Sequence, residues 1–343
     1  MPTAIFASFE SGIIYAIMAL GVYLSFRILD FPDLTVDGSF VTGAAVAATM
    51  IVSGYNPVVA TLTAIVIGFA AGCITGLLHT FGKINALLSG ILMMIALYSI
   101  NLRIMGRSNV PLLNQETAFT GIEGMWVPLG IDTALNNLWM AVGFGEPLPG
   151  TWSILFIMVI ITLAIKFLTD AFLKTEIGLA LRATGDNQRM IRSFSANTNL
   201  MIILGLGISN GMVALSGALI AQYSRFADVG MGIGMIIIGL ASVIIGEALF
   251  GTKTIARTTL AVIGGAIIYR LVVSMALRVE FLETGDMKLI TAVIVILALI
   301  MPKVMDRYKD KKRKAQRMTE RLNKVSLTTE GKGDNGAAIK SNS

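Results

Sequence analysis

Apolar residues gather into runs long enough to cross about 30 Å of hydrocarbon. They fall at 5–26, 36–53, 58–78, 85–105, 152–169, 200–222, 231–250, 258–279 and 287–301. The pattern predicts an all-α integral membrane protein, a polytopic helical bundle of about nine spans. Between the fifth and sixth runs the pattern changes over 174–199, KTEIGLALRATGDNQRMIRSFSANTN. Ile177, Ala180, Leu181 and Thr184 recur at i, i+3, i+4 and i+7, which predicts a short amphipathic helix over 176–184. Gly185, Asp186 and Asn187 favour a turn, and Arg189, Met190 and Arg192 begin a second helical turn. A polar helix held between two spans has to dock on something. It reads either as an ordinary basic loop or as a handle for a partner protein.

The second run is the irregular one. Its approach, Phe31-Pro32-Asp33-Leu34-Thr35-Val36-Asp37-Gly38-Ser39, carries a proline and a glycine that predict a broken second span. Asp30, Asp33 and Asp37 would share one side of a helix there. Carboxylates near a helix start also suit its positive dipole end, so capping stands beside a broken helix lining a watery path. Asp37, Ser39 and Thr42, with Ser209 and Asn210 in the sixth run, are the candidate translocation-pathway residues. For Ser209 and Asn210 an interhelical hydrogen bond is the other reading. Gly68, Gly72 and Gly76 put bare backbone on one face of the third run. The same spacing returns at Gly207–Gly211 and Gly230–Gly234, and it predicts close helix packing.

Composition narrows the class. Of 343 residues 55% are hydrophobic and 14% charged, with a mean hydropathy of +0.76, against about 25% charged in a soluble domain. The pI of 9.4 does not mark a nucleic-acid groove. Twelve of the 27 Lys and Arg lie in the tail 302–343 with only 5 of the 21 acids, so the basicity belongs to the tail. That tail reads as a charged helix leaving the membrane, solvated or lying on anionic lipid, and then as disorder from Ser326. A single Cys73 and a single His79 supply neither a disulfide framework nor a metal set, and His79 reads as solvated or interfacial. The first run lacks a basic flank, contains Glu10 and is too long for a cleaved signal.

The distribution of Lys and Arg predicts orientation. The loop 106–150 sets Arg107 against Glu116, Glu123, Asp132 and Glu146, carries or borders Trp126, Trp139 and Trp152, and is assigned outside. The acidic loop 280–286 falls on the same side. Arg27, Lys83, the stretch 171–198 with its four bases, Lys253, Arg257 and the tail fall inside, while Arg103, Arg225, Arg278 and Lys288 run against the rule. The N-terminus is then external and the C-terminus cytoplasmic.

No phosphate loop is present. Gly82-Lys83 and Gly331-Lys332 lack the upstream glycine and the following Ser or Thr, and Gly205-Leu206-Gly207-Ile208-Ser209-Asn210-Gly211 misses the dinucleotide spacing. With one His and one Cys no hydrolytic triad can be assembled, so the chain reads as a non-enzyme.

Leu34-Thr35-Val36-Asp37-Gly38-Ser39 followed by Gly43-Ala44 resembles the signature after the first span in permeases of the branched-chain amino acid and ribose type. Those are the membrane subunits of ATP-binding-cassette importers. Gly178-Leu179-Ala180-Leu181-Arg182-Ala183-Thr184-Gly185-Asp186-Asn187 looks like their coupling loop. Ser216-Gly217-Ala218-Leu219 and Gly239 to Gly246 match the later half of the pattern, so the resemblance covers about residues 10–300. DFPDLTVDGSF in particular resembles the branch paired with amino-acid-binding lipoproteins, often for aromatic amino acids. Departures are Ser195-Ala196-Asn197, where relatives often have Gly-Ile-Asn, and Ile245-Gly246-Glu247 in place of a double glycine.

The resemblance implies a transmembrane permease domain over 1–301 in a bacterial plasma (inner) membrane, followed by the tail. It further implies a separate ATPase subunit that binds ATP and Mg, none being held by this chain, and an extracellular substrate-binding lipoprotein. A second permease copy, as a homodimer in the lipid bilayer, or else a related permease as a heterodimer, completes the set, with no nucleic acid partner. Glu176, Ile177, Gly178, Leu181, Arg182, Ala183, Gly185, Asp186 and Asn187 would couple to the ATPase. Ile177 and Leu181 would enter its cleft, while Arg182 and Asp186 fix the register. A sugar- or nucleoside-specific permease, an ion-coupled secondary transporter using Asp37, and a membrane scaffold remain the alternatives.

Overall fold

The computed structural model describes residues 2–141, 148–193 and 197–276, with a few helical positions between 289 and 300. The expected ninth span, the acidic loop 280–286, the tail and most of Ser195-Ala196-Asn197 lie outside the described residues. Seven helices there are long and apolar enough to cross a membrane. They are α1 (Pro2–Val22, prolonged by a π-helical turn, Tyr23–Ile28), α2 (Thr35–Val52), α3 (Pro57–Thr80), α4 (Ala86–Met105), α7 (Ser153–Lys174), α10 (Thr198–Ser224) and α12 (Ile255–Ala276). The apolar run at 231–250 yields a shorter helix, α11 (Met235–Phe250). At 16 residues it is about 24 Å long, less than a bilayer core.

Helix α10 is the axis. Gly68, Gly72 and Gly76 of α3 lie against its Ala214, Leu206 and Ile203. Gly43 of α2 meets the backbone of Ala214, and Gly217 of α10 meets the backbone of Phe40. A side chain at any of these glycines would overlap its neighbour, so the small-residue spacing is used for packing within the chain. Ile14, Ile17 and Met18 of α1, Phe40 of α2, and Val213 and Ile220 of α10 fill one continuous core. The motif at 230–234 is a turn instead. Gly234 takes φ +89°, a left-handed conformation that glycine adopts without strain, and α11 begins only after it.

The second span is not broken where Gly38 led us to expect. α2 is continuous from Thr35, and Gly38 sits inside it because its bare Cα accommodates Leu97 of α4. The irregular stretch is 29–34, ahead of the span. There the Phe31 N–H donates to Ser25 O at 2.9 Å and the chain turns back.

The described part of the long loop 106–150 is a folded cap. Its strand β1 (Asn109–Pro111) pairs antiparallel with β2 (Phe226–Asp228), and it carries α5 (Ala118–Trp126) and α6 (Ile131–Ala141). A reciprocal pair of hydrogen bonds between Thr117 and Thr120 starts α5. Trp139 and Trp152 pack edge-on against Phe6 of α1, and both Trp126 Nε1 and the Trp152 backbone N–H donate to Asp132. At the other end of the first span, Arg27 forms a two-pronged ion pair with Glu247 of α11 at 2.7–3.2 Å. The glutamate that departs from the family pattern is thus engaged within the chain.

Helix α7 exposes Ile160, Phe167 and Leu168 on one side and buries an ion pair on the other. Lys166 Nζ lies 2.6 Å from Asp170 Oδ2, and Thr259 of α12 donates to Asp170 Oδ1 at 2.7 Å. Asp170→Leu alone strands the lysine and is expected to destabilise the fold by about 3–5 kcal/mol. Lys166→Met with Asp170→Leu should recover most of that loss, which thermal unfolding in detergent would read.

Candidate functional site

Two places carry the chemistry. The first is the helix pair α8 (Glu176–Asp186) and α9 (Gln188–Ser193), which follows α7 after one residue. Thr175 caps α8, its Oγ1 accepting from the Gly178 N–H at 3.2 Å, and Asn187 Oδ1 accepts from the Met190 N–H at 3.1 Å to start α9. The predicted amphipathic helix therefore forms, and it runs two residues further than periodicity alone indicated.

Its docking surface differs from the expected one. Leu181 is fully buried among Leu29, Phe31, Ile202 and Leu206 of its own chain. It is not available to a partner, which corrects the reading that paired it with Ile177. Gly178 lies against the backbone of Phe172 and Leu173, and Gly185 against the carbonyl of Ile28, with no room for a Cβ at either. These three residues clamp α8 to the bundle. The outward apolar surface is Ile177 (49% exposed), Leu179 (51%) and Met190 (48%). Helical spacing finds an apolar stripe but does not say which neighbour takes it.

Glu176, Asp186 and Asn187 are exposed, and Ala183 is half-buried. Arg182 lines an open cavity of about 550 Å³ together with Tyr23, Arg27, Glu247 and Lys253. His79, expected to be solvated or interfacial, is part-buried; Nδ1 pairs with Ile84 O at 2.8 Å and its ring meets Phe31 edge-on.

The second place is Asp37. Its Oδ2 accepts from the Gly234 N–H at 3.0 Å and its Oδ1 from the Ile236 N–H at 2.8 Å. The carboxylate of one span thus holds the positive end of the short helix α11. This is the capping role foreseen for these acids, applied to another helix. Asp37 also lines a cavity of about 380 Å³ with Gly38, Val41, Met94, Tyr98, Asn101 and the turn at 229–233.

The other pathway candidates do not reach that cavity. Thr42 Oγ1 donates to Gly38 O at 2.9 Å, and Ser209 Oγ donates to Gly21 O of α1 at 2.7 Å. Asn210 Nδ2 donates to Asp33 Oδ2 at 2.6 Å, and Ser39 is buried with its hydroxyl unpaired. Buried hydroxyls and amides between helices bind backbone carbonyls and each other, so Ser209 and Asn210 follow the interhelical reading. Asp33, fully buried, also accepts from the Thr35 N–H at 2.9 Å and thereby shapes the turn before α2. Asn101 and Tyr98 escaped the sequence reading, because one amide and one phenol in an apolar run carry no spacing signal. Among the described residues no three His, Cys, Asp or Glu side chains gather into a metal site.

An apolar helical bundle with a docked polar helix at one end and a largely apolar cavity beside a capped half-length helix fits a multi-pass membrane protein. The chain belongs to the family described as the branched-chain amino acid transport system / permease component, whose profile matches residues 4–301. It is 44% identical over 297 residues to the tyrosine transport system permease protein of Clostridioides difficile, covering 87% of this chain and 90% of that one. To the ribose import permease protein of Escherichia coli it is 25% identical over 287 residues, 83% and 81% of the two chains. An autoinducer 2 import system permease protein of Salmonella typhi is 26% identical over 244 residues, 71% and 62% of the two. No solved structure matches the chain.

Proposed function

We propose that the chain is the membrane subunit of an ATP-binding-cassette importer for an amino acid, aromatic in the first instance. Two copies would flank the pathway. A separate ATPase binds ATP and Mg, an extracellular lipoprotein delivers the solute, and the N-terminus lies outside with the C-terminus in the cytoplasm. The observation that supports this most is the construction of α8, a helix locked to its own bundle by Leu181, Gly178 and Gly185 that presents Ile177 and Leu179 outward. Fixed on one side and apolar on the other, it suits the transmission of a partner's motion. The 44% identity to a tyrosine permease supports the solute class. Both carboxylate oxygens of Asp37 accept backbone N–H groups at the start of α11, so the residue has a structural role as a cap.

The test is assembly and energisation. Ile177→Asp with Leu179→Asp is expected to lower co-purification of the ATPase at least about ten-fold while the permease keeps its melting temperature. ATP-dependent uptake should fall in parallel. An unchanged complex, or accumulation driven by the isolated chain, would sink the reading. Leu181→Asp is not a test of docking, since it puts a charge into the bundle.

A further inference from the structure

The cavity beside Asp37 is more than a gap in packing. Among the described residues Asp37 is the one charged group lining it, and the remaining wall is mostly apolar: Val41, Met94, Ile95, Val229, Ile233 and the ring of Tyr98. Asn101 lines it too and is 1% exposed. Its Nδ2 donates to Gly38 O at 3.2 Å, while its Oδ1 has no hydrogen-bond partner among the described residues. A buried amide oxygen without a donor costs free energy on the order of 1–3 kcal/mol, so its retention calls for a reason. The Asp37 carboxylate accepts the Gly234 and Ile236 N–H groups, with that of Met235 beside them, and about four lone-pair sites on a carboxylate leave it acceptor capacity. The unsatisfied capacity of the cavity is therefore acceptor capacity, held by one carboxylate and one amide, and no cation among the described residues lines the walls.

We infer that this cavity is a solute-selecting site in the permease itself, taking a small primary amine with an apolar or aromatic body. The ammonium group supplies donors to Asp37 and to Asn101 Oδ1, while the body lies against Met94, Ile95 and Ile233 and on the face of Tyr98. A volume of about 380 Å³ is within the range of small-ligand cavities. The same wall offers no cationic group to a carboxylate, so selection acts on the ammonium end. Ile95, Tyr98 and Ile233 are exposed at the open side. The carboxylate and the phenol make that side a poor surface for lipid, and a second copy of the chain would close it. This site rests on the permease reading and adds a selectivity that a delivering protein would otherwise hold alone.

The experiment uses the full chain in lipid nanodiscs, with radiolabelled L-tyrosine measured by scintillation proximity and two competitors. Phenethylamine keeps the ammonium and lacks the carboxylate, and 3-phenylpropionate does the reverse. Phenethylamine is expected to displace tyrosine within about ten-fold of tyrosine itself, and phenylpropionate to be weaker by about ten- to a hundred-fold. Asn101→Leu should weaken amine binding about ten-fold. Equal competition by phenylpropionate, wild-type affinity in Asn101→Leu, or no saturable binding would overturn the inference. If no amine binds while the assembled complex still imports with ATP, this site falls and the permease reading stands. Loss of ATP dependence would be the failure of that reading instead.

Discussion

Gly217→Val is expected to abolish accumulation of folded protein, and Gly43→Val to do nearly the same. Gly217 of α10 faces the backbone of Phe40 on α2, and Gly43 of α2 faces the backbone of Ala214 on α10. The two contacts lie about a turn apart along an antiparallel pair, so each helix is notched where the other approaches. The obstacle in both cases is main chain, which no rotamer change relieves. Overpacking of this kind costs about 1–3 kcal/mol where side chains can move, and more where they cannot. Natural stability is commonly only about 5–15 kcal/mol, so loss of the α2–α10 contact endangers the whole bundle. Gly121→Ala provides the contrast: nothing lies within 4 Å of the added methyl in the cap helix α5, and stability should hold or rise slightly. Size-exclusion profiles of fluorescent fusions would separate these outcomes. A monodisperse, normally melting Gly217→Val protein would show that α10 is not the axis of the fold.

Asp37→Ala carries the second large effect. It removes the acceptor of two N–H groups at the start of α11 and leaves them inside the bundle. A loss of about 2–4 kcal/mol is expected, from stranded donors together with an unmatched helix dipole. Transport should suffer more than stability suggests, because the same carboxylate lines the cavity. Asp37→Asn keeps one acceptor oxygen and should retain much of the stability while still impairing uptake. Thermal unfolding and uptake, measured together on both variants, would check this. Equal uptake in wild type and Asp37→Asn would show that the charge has no role beyond the cap.

Much of the candidate site is legible in the order of residues alone. The polar helix at 176–184 follows from its spacing and its place between two apolar runs, and α8 lies there. The family resemblance, carried by LTVDGSF and by the GLALRATGDN segment, agrees with the family profile. Asp37 stands out by type and depth, and it lines the cavity. Two readings went astray for one reason. Gly38 looked like a helix breaker and Leu181 like a partner contact, yet each is explained by the neighbour it meets, Leu97 for the glycine and Leu29 with Leu206 for the leucine. Local propensity contains no such neighbour.

The chain by itself determined where the long apolar helices and the polar helix α8 form and that they suit a bilayer, because transfer of apolar side chains and the obligatory pairing of backbone groups in hydrocarbon depend only on composition and order along the chain. It also determined that close packing would occur at Gly68, Gly72 and Gly76. Only the tertiary structure decided that α10 is what those glycines grip, that Asp37 caps a helix nearly 200 residues away, and that Asn101 keeps an unpaired oxygen beside it. Those facts are pairings between distant segments. Their energies arise when the segments meet, so no window of sequence can hold them.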